Sequence, residues 1–222
     1  MKLRSLFLAL TLASLVACQK SEITDKPAAA VTETSATTAN DTALTSTPPA
    51  AGATTVNVIK EKSSIHFVAA KVTRDHKGEF KSFDGSLEYS GGAPSRISFD
   101  IALNSIETDT PDLTKHLQTA DFFDVAKFPK ATFTSSSITA APAGSPPGTT
   151  HVVTGTLNMH GVDKAVSFPV VATVAPDSVH TTSEFTINRQ DWGISYKGAA
   201  DDLIKDNVLI KLDLMFPPPP AS

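Results

Sequence analysis

One cysteine, Cys18, stands in a chain of 222 residues. No disulfide can form within the chain, so its folded part must draw its stability from burying a core. Tryptophan (one) and tyrosine (two) are nearly missing, while phenylalanine occurs twelve times, so the aromatic surface is mostly of the kind that seeks an apolar interior. Basic residues number 19 against 23 acidic ones. Phosphate binding needs a cationic face, and this balance argues against nucleic acid as a partner. The six histidines, at 66, 76, 116, 151, 160 and 180, show no metal-site spacing, and no acidic calcium loop is present, so no metal is expected. There is no Gly-x-Ser-x-Gly elbow, no Gly-rich phosphate loop and no second thiol. An enzyme is therefore not expected.

What is present begins with an address. Lys2 and Arg4 precede the apolar run Leu6 to Leu12, and Leu15, Val16 and Ala17 lead into Cys18. Residues 1–17 read as a secretory signal peptide, whose apolar run is too short to span a bilayer. Leu-Val-Ala-Cys matches the bacterial lipobox, which makes Cys18 the lipidation site, acylated with palmitate-type chains. The expected location is the periplasm, on a bacterial membrane through Cys18. Gln19 rather than Asp after the cysteine favours the outer membrane. Residues 18–55 are rich in Ala, Thr, Ser and Pro without aromatic residues or apolar period, which predicts a disordered tether. Such a tether would hold the domain on the order of 30 to 35 Å from the lipid.

Residues 56–216 form one domain in which alternation is the dominant period. Ile97, Phe99, Ile101 and Leu103 share one face of a strand, with Ser98, Asp100 and Asn104 on the other. Further faces are Ile65, Phe67 and Ala69; Val153, Gly155, Leu157 and Met159; Val166, Phe168, Val170 and Ala172; Phe185 and Ile187; and Val208, Ile210, Leu212 and Leu214. Turn signals separate them at Asp84-Gly85, Gly91 to Pro94, Ala141 to Gly148, His160-Gly161 and Pro176-Asp177. The departure is Thr110 to Asp124. Thr110 suits an N-cap and Pro111 the first helical position, predicting a short helix that lies as a lid across one mouth. An all-β barrel or sandwich follows from the pattern, and Pro217 to Pro220 cannot continue the last strand for lack of amide donors.

Two segments decide between barrel and sandwich. One runs from His116 to Phe133 and contains Ala120-Asp121-Phe122-Phe123-Asp124 and Lys127-Phe128-Pro129. The other is Ile187-Asn188-Arg189-Gln190-Asp191-Trp192-Gly193-Ile194. With Gly155 to Val162 between them, they resemble the signature segments of the YceI-like family. The resemblance implies an antiparallel, lipocalin-like β-barrel of about 8 strands that holds a long isoprenoid or similar apolar chain in its lumen. The family commonly carries an Arg-Asp pair shortly before the motif histidine, where this chain has Leu113 and Thr114. Trp192 stands where the family more often has Phe.

An eight-stranded barrel can be filled or can hold one small ligand. The inward faces lack the polar groups that a sugar or nucleotide needs, so a ligand here would be a lipid. At roughly 0.3 kcal/mol per heavy atom, about forty buried carbons give about 12 kcal/mol, which favours a polyprenyl quinone or related chain. The strand faces nominate Ile65, Phe67, Phe99, Ile101, Leu103, Phe133, Leu157, Met159, Phe168, Val170, Phe185, Ile187, Ile210 and Leu212 as lining. The family motifs add Phe122, Phe123 and Phe128 at the lid, where they border the ligand entrance or pin the helical segment to the barrel, and Trp192 as a ring that narrows the lumen. His116 is a candidate head-group contact or a structural bond within the lid, and Arg189 is expected to pair with Asp191. No cofactor is expected beyond a bound isoprenoid. The expected partners are that lipid and the membrane, with the protein a monomer or homodimer. The alternative is a non-enzymatic envelope interaction or stress-protection module with a filled barrel.

Overall fold

The computed structural model describes residues 21–33, 53–200 and 202–218. Cys18, the signal peptide and the end of the Pro-rich tail lie outside the described residues. In chain order the strands are β1 (Ala30–Glu33), β2 (Thr54–Asn57), β3 (Ser64–Lys71), β4 (Asp75–Phe80), β5 (Phe83–Ser90), β6 (Ala93–Ala102) and β7 (Ile106–Thr108). After α1 (Pro111–Leu117) come β8 (Lys130–Ala140), β9 (His151–Met159), β10 (Val162–Ala175), β11 (Ser178–Asn188), β12 (Gly198–Ala199) and β13 (Asp202–Phe216). Helix α1 starts as its sequence predicts, with Pro111 in its first turn after Thr110. Thr110 makes no side-chain cap; its carbonyl instead accepts a bond from the Thr108 hydroxyl.

One antiparallel sheet runs in the order β2, β5, β6, β8, β9, β10, β11, β13, β3, β4, β7. It curls into a lipocalin-like barrel. The β2 end is drawn back onto β13 where the Ile59 amide donates to Met215 O (2.7 Å), and at the other end the Lys81 amide extends the β4–β7 ladder to Ser105 O (3.1 Å). Nine strands have six or more residues, one more than the expected eight. β4 and β5 account for the difference: they are separated by Lys81 and Ser82 alone yet pair with different neighbours. They form one path bent at that point rather than a hairpin.

Alternation fixes the inner face, as in β6, where the predicted Ile97, Phe99 and Ile101 pack inward. β8 breaks the rule usefully. Its register against β9 shifts between Ser135 and Ser137, so the inward set passes from Ala131 and Phe133 to Ile138. A bulge of one residue inverts parity beyond it. Inside, Phe133, Phe168 and Phe185 form a row, with Phe168 and Phe185 stacked at 4.3 Å between centroids.

The expected disordered tether is corrected for residues 21–33. Ser21 Oγ donates to Asp75 (2.8 Å), and Glu22 pairs with Lys77 and Lys211. Lys26 meets Glu184, and β1 then pairs antiparallel with β10 from Ala30 opposite Ser167 to Glu33 opposite Lys164. The segment crosses Val68 and Leu209, which point outward by parity yet are 2% and 0% exposed. Covering that apolar patch and neutralising Glu22 and Glu184 are what order a stretch whose own composition would not.

Candidate functional site

Inside the barrel lies a cavity of about 350 Å³. Its walls are almost all carbon: Ile65 and Phe80; Leu87 and Tyr89 on β5; Ile97, Phe99 and Ile101 on β6; Ala131, Phe133 and Ile138 on β8; Val153, Leu157 and Met159 on β9. Val166 to Val174 of β10, Val179 to Ile187 of β11, and Ile210, Leu212 and Leu214 of β13 complete it. Of the eighteen lining residues expected, thirteen border this cavity: Ile65, Phe99, Ile101, Leu103, Phe133, Leu157, Met159, Phe168, Val170, Phe185, Ile187, Ile210 and Leu212.

Of the other five, four lie elsewhere for a common reason, and Phe67 is taken up by its neighbouring strand. At one end the walls include Gly92, Pro94 and Val174, the last 70% exposed. This is the mouth, ringed by the β5–β6, β8–β9 and β10–β11 connections. At the opposite end Leu103 and Trp192 are both 0% exposed, and the helical segment seals it. Phe122 packs edge-on to His116 and beside Tyr196, and Phe123 lies edge-on to Phe80. Phe128 lies tilted against His160 and fills the space over Gly161, whose added Cβ would come within 2.5 Å of its ring. Trp192 donates its indole N–H to Leu157 O (3.1 Å). Phe67 lies over Gly78 of the neighbouring strand and against Phe80. The expected lid is thus a plug: Phe122, Phe123, Phe128 and Trp192 close the end away from the mouth, and none of them borders the cavity.

His116 is part of that plug, with Nε2 2.7 Å from Asp121 Oδ2, and it is not among the lining residues. The expected Arg189–Asp191 pair is replaced. The buried Arg189 guanidinium meets Asp206 at 3.1 Å and donates to Ile194 O (2.5 Å), Lys205 O (3.3 Å) and Ile204 O (3.5 Å). It ties the turn after β11 to the start of β13. Desolvation lowers its pKa, and Asp206 works against that.

Polar lining is sparse and lies on the mouth side: Tyr89, His151 and Thr181 to Ser183. The Ser183 hydroxyl is spent on Pro169 O (2.5 Å). The Tyr89 hydroxyl is buried without a hydrogen-bond partner, and desolvation raises its pKa. Leu87 and Tyr89 were readable as the continuation of an alternating face from Phe83, but Gly85 interrupts it. Ile138 was hidden by the bulge, and Thr181 and Ser183 by being polar. A groove of about 530 Å³ on the outer surface, at Lys60, Asp84 and Asp100, is open and polar. Among the described residues no three His, Cys, Asp or Glu side chains converge as metal ligands would.

Known proteins resemble this chain in sequence and in fold. The UPF0312 protein of Pseudomonas putida is 31% identical over 142 residues, which is 60% of this chain and 71% of that protein. Protein YceI of Salmonella newport is 39% identical over 92 residues, 40% of this chain and 45% of that one. Two solved structures share the fold. Burkholderia cenocepacia BcnA matches with a TM-score of 0.63 at 24% identity, over 71% of this chain and 98% of its own. A polyisoprenoid-binding domain from Saccharophagus degradans matches at 0.58 and 20%, over 74% and 98%. The YceI-like domain description matches residues 57–216, from the end of β2 through the last residue of β13 and so across barrel, plug and cavity, and by that match the chain belongs to the YceI-like domain family.

Proposed function

We propose that the barrel binds, stores or carries a long apolar isoprenoid lipid, such as a polyprenyl quinone, and does so by binding rather than catalysis. The observation that carries this is the carbon-lined cavity with one plugged end and one open mouth. Pockets of about 300 to 1,000 Å³ hold small ligands, and walls with few polar groups select a ligand that has few. The likeness to a polyisoprenoid-binding domain supports the same reading. The scarce polar groups near the mouth suit a head group left there while the chain runs inward. In this reading the protein works in the periplasm as a lipoprotein held by acylated Cys18, on the outer membrane by the Gln19 rule.

The test is native mass spectrometry of the full chain extracted from its membrane in mild detergent, followed by organic extraction. A stoichiometric lipid with an isoprenoid fragmentation pattern is the expected result. A protein that carries none, and takes up no added polyprenyl quinone, would return the barrel to the filled interaction module.

A further inference from the structure

The cavity is smaller than its proposed cargo. At roughly 10 to 15 Å³ of void per water-sized group, a void of about 350 Å³ takes on the order of two to three dozen chain carbons, short of the roughly forty of a long polyprenyl chain. A long isoprenoid needs the wall to yield, and one stretch of wall differs from the rest. β10 and β11 pair with each other from Val171 opposite Thr182 to Ala175 opposite Ser178. Next comes Pro169, which has no amide hydrogen to donate, and the Ser183 hydroxyl bonds its carbonyl instead. Past that point the two strands bond not to each other but to residues inserted between them. On one side Ala30 to Glu33 pair with Ser167 to Lys164. On the other the Ala29 amide donates to Thr186 O (2.8 Å) and the Thr186 amide to Pro27 O (2.9 Å).

We infer that this seam is a second, lateral entrance to the cavity, that residues 28–33 are a displaceable stave closing it, and that a long isoprenoid chain passes there once the stave swings out. This rests on the isoprenoid-binding reading above. Val166, Phe168, Phe185 and Ile187 flank the seam and also line the cavity, with Phe168 and Phe185 stacked on each other, so the stave backs these side chains from outside and an entering chain parts them once it has swung away. It is held lightly. Ala29 and Val31 are its partly buried core contacts, and its outer end is fixed by the exposed Glu33 carboxylate on the largely covered Lys164 (2.5 Å). Short, exposed strands with few apolar contacts open at low free energy. The preceding residues are gripped more firmly, with Glu22 on Lys77 and Lys211 and Lys26 on Glu184. The stave therefore hinges near Pro27 rather than coming away with the whole segment.

Thr32 and Ala165 are paired across this contact, so the full-length Thr32→Cys, Ala165→Cys chain can lock the stave by a disulfide. Uptake is followed for two probes, a long-chain polyprenyl quinone in lipid vesicles and geraniol, which fits the void as it stands. The expected result is that the oxidised protein takes up the quinone at least tenfold more slowly than the reduced one, while geraniol binds both equally. Equal quinone uptake in the two states would overturn the portal alone. Failure of both probes in both states would overturn the isoprenoid-binding reading, and the portal with it. Hydrogen exchange on the unsubstituted chain gives a second measure. Amides of residues 28–33 should lose protection during quinone uptake while those of residues 21–26 keep it, and unchanged protection at 28–33 would likewise overturn the portal.

Discussion

Gly85 carries no side chain because Phe99 occupies the place where one would stand. A Cβ there would lie 2.2 Å from the Phe99 ring, and the two residues are directly opposed between β5 and β6. The ring borders the cavity, so in Gly85→Ala it can yield only by swinging toward the void. The expected outcome is a stability loss of about 1 to 3 kcal/mol, as for other overpacked cores, with lipid capacity reduced more than stability. Denaturant unfolding and lipid extraction of the same preparation separate the two effects. Arg189 poses the opposite case, a buried cation satisfied by three carbonyls and Asp206. Arg189→Met leaves those acceptors unpaired and should cost about 3 to 5 kcal/mol. Arg189→Lys should recover little of it, because an ammonium cannot reproduce the planar fork. Thermal unfolding of the two variants checks both expectations.

Among the elements, the N-terminal segment is the one whose attachment depends on pH. The Glu22 carboxylate is held at about 2, against an ordinary 4.5, by hydrogen bonds from Lys211 and then Lys77. A lowered folded-state value means the contribution is complete above about 4.5 and disappears as pH falls toward 2. Amide signals of residues 21–33 should therefore shift in acid before those of β3, when followed by NMR from pH 5 to pH 2. Raised salt should weaken the same contact, since the pair is partly exposed. This element was also the least legible in the sequence. Ala30 to Glu33 offer one valine and no alternation, and their partner strand begins 129 residues beyond β1's end at Val162. Only that distant pairing makes them a strand. The long strands were legible because a half-buried strand must alternate, and thirteen lining residues followed from that alone. Parity says which face is inside but not which end is shut. Whether Phe122, Phe123 and Phe128 border an entrance or pin the helical segment to the barrel was therefore open in the sequence, and their packing against Phe80, His116 and His160 is of the second kind.

For the molecule as a whole, the proposed anchor at Cys18 would sit nearest the plugged end. Asp75, which holds Ser21, starts β4 at the turn beside that end, and Ser21 follows Cys18 by three residues. At about 3.5 Å per residue, an acylated Cys18 would keep the barrel on the order of 10 Å from the lipid instead of 30. The mouth would face away from the membrane and the β10–β11 seam would lie in the nearer half. Whether the void is the binding site is decided by filling it without disturbing the wall. Leu212 lines the cavity and sits opposite Ser183 on β11, so in Leu212→Trp the added ring projects into empty space. Filling a cavity restores contacts that its walls lack, so Tm should hold or rise in the lipid-free protein. Co-purified isoprenoid should fall at least tenfold. A ligand present at 100 times its Kd stabilises its host by about 2.7 kcal/mol, so the unsubstituted protein should lose Tm on delipidation and the variant should not. If the variant kept both its lipid and its delipidation shift, the lipid would have to lie somewhere other than the lumen.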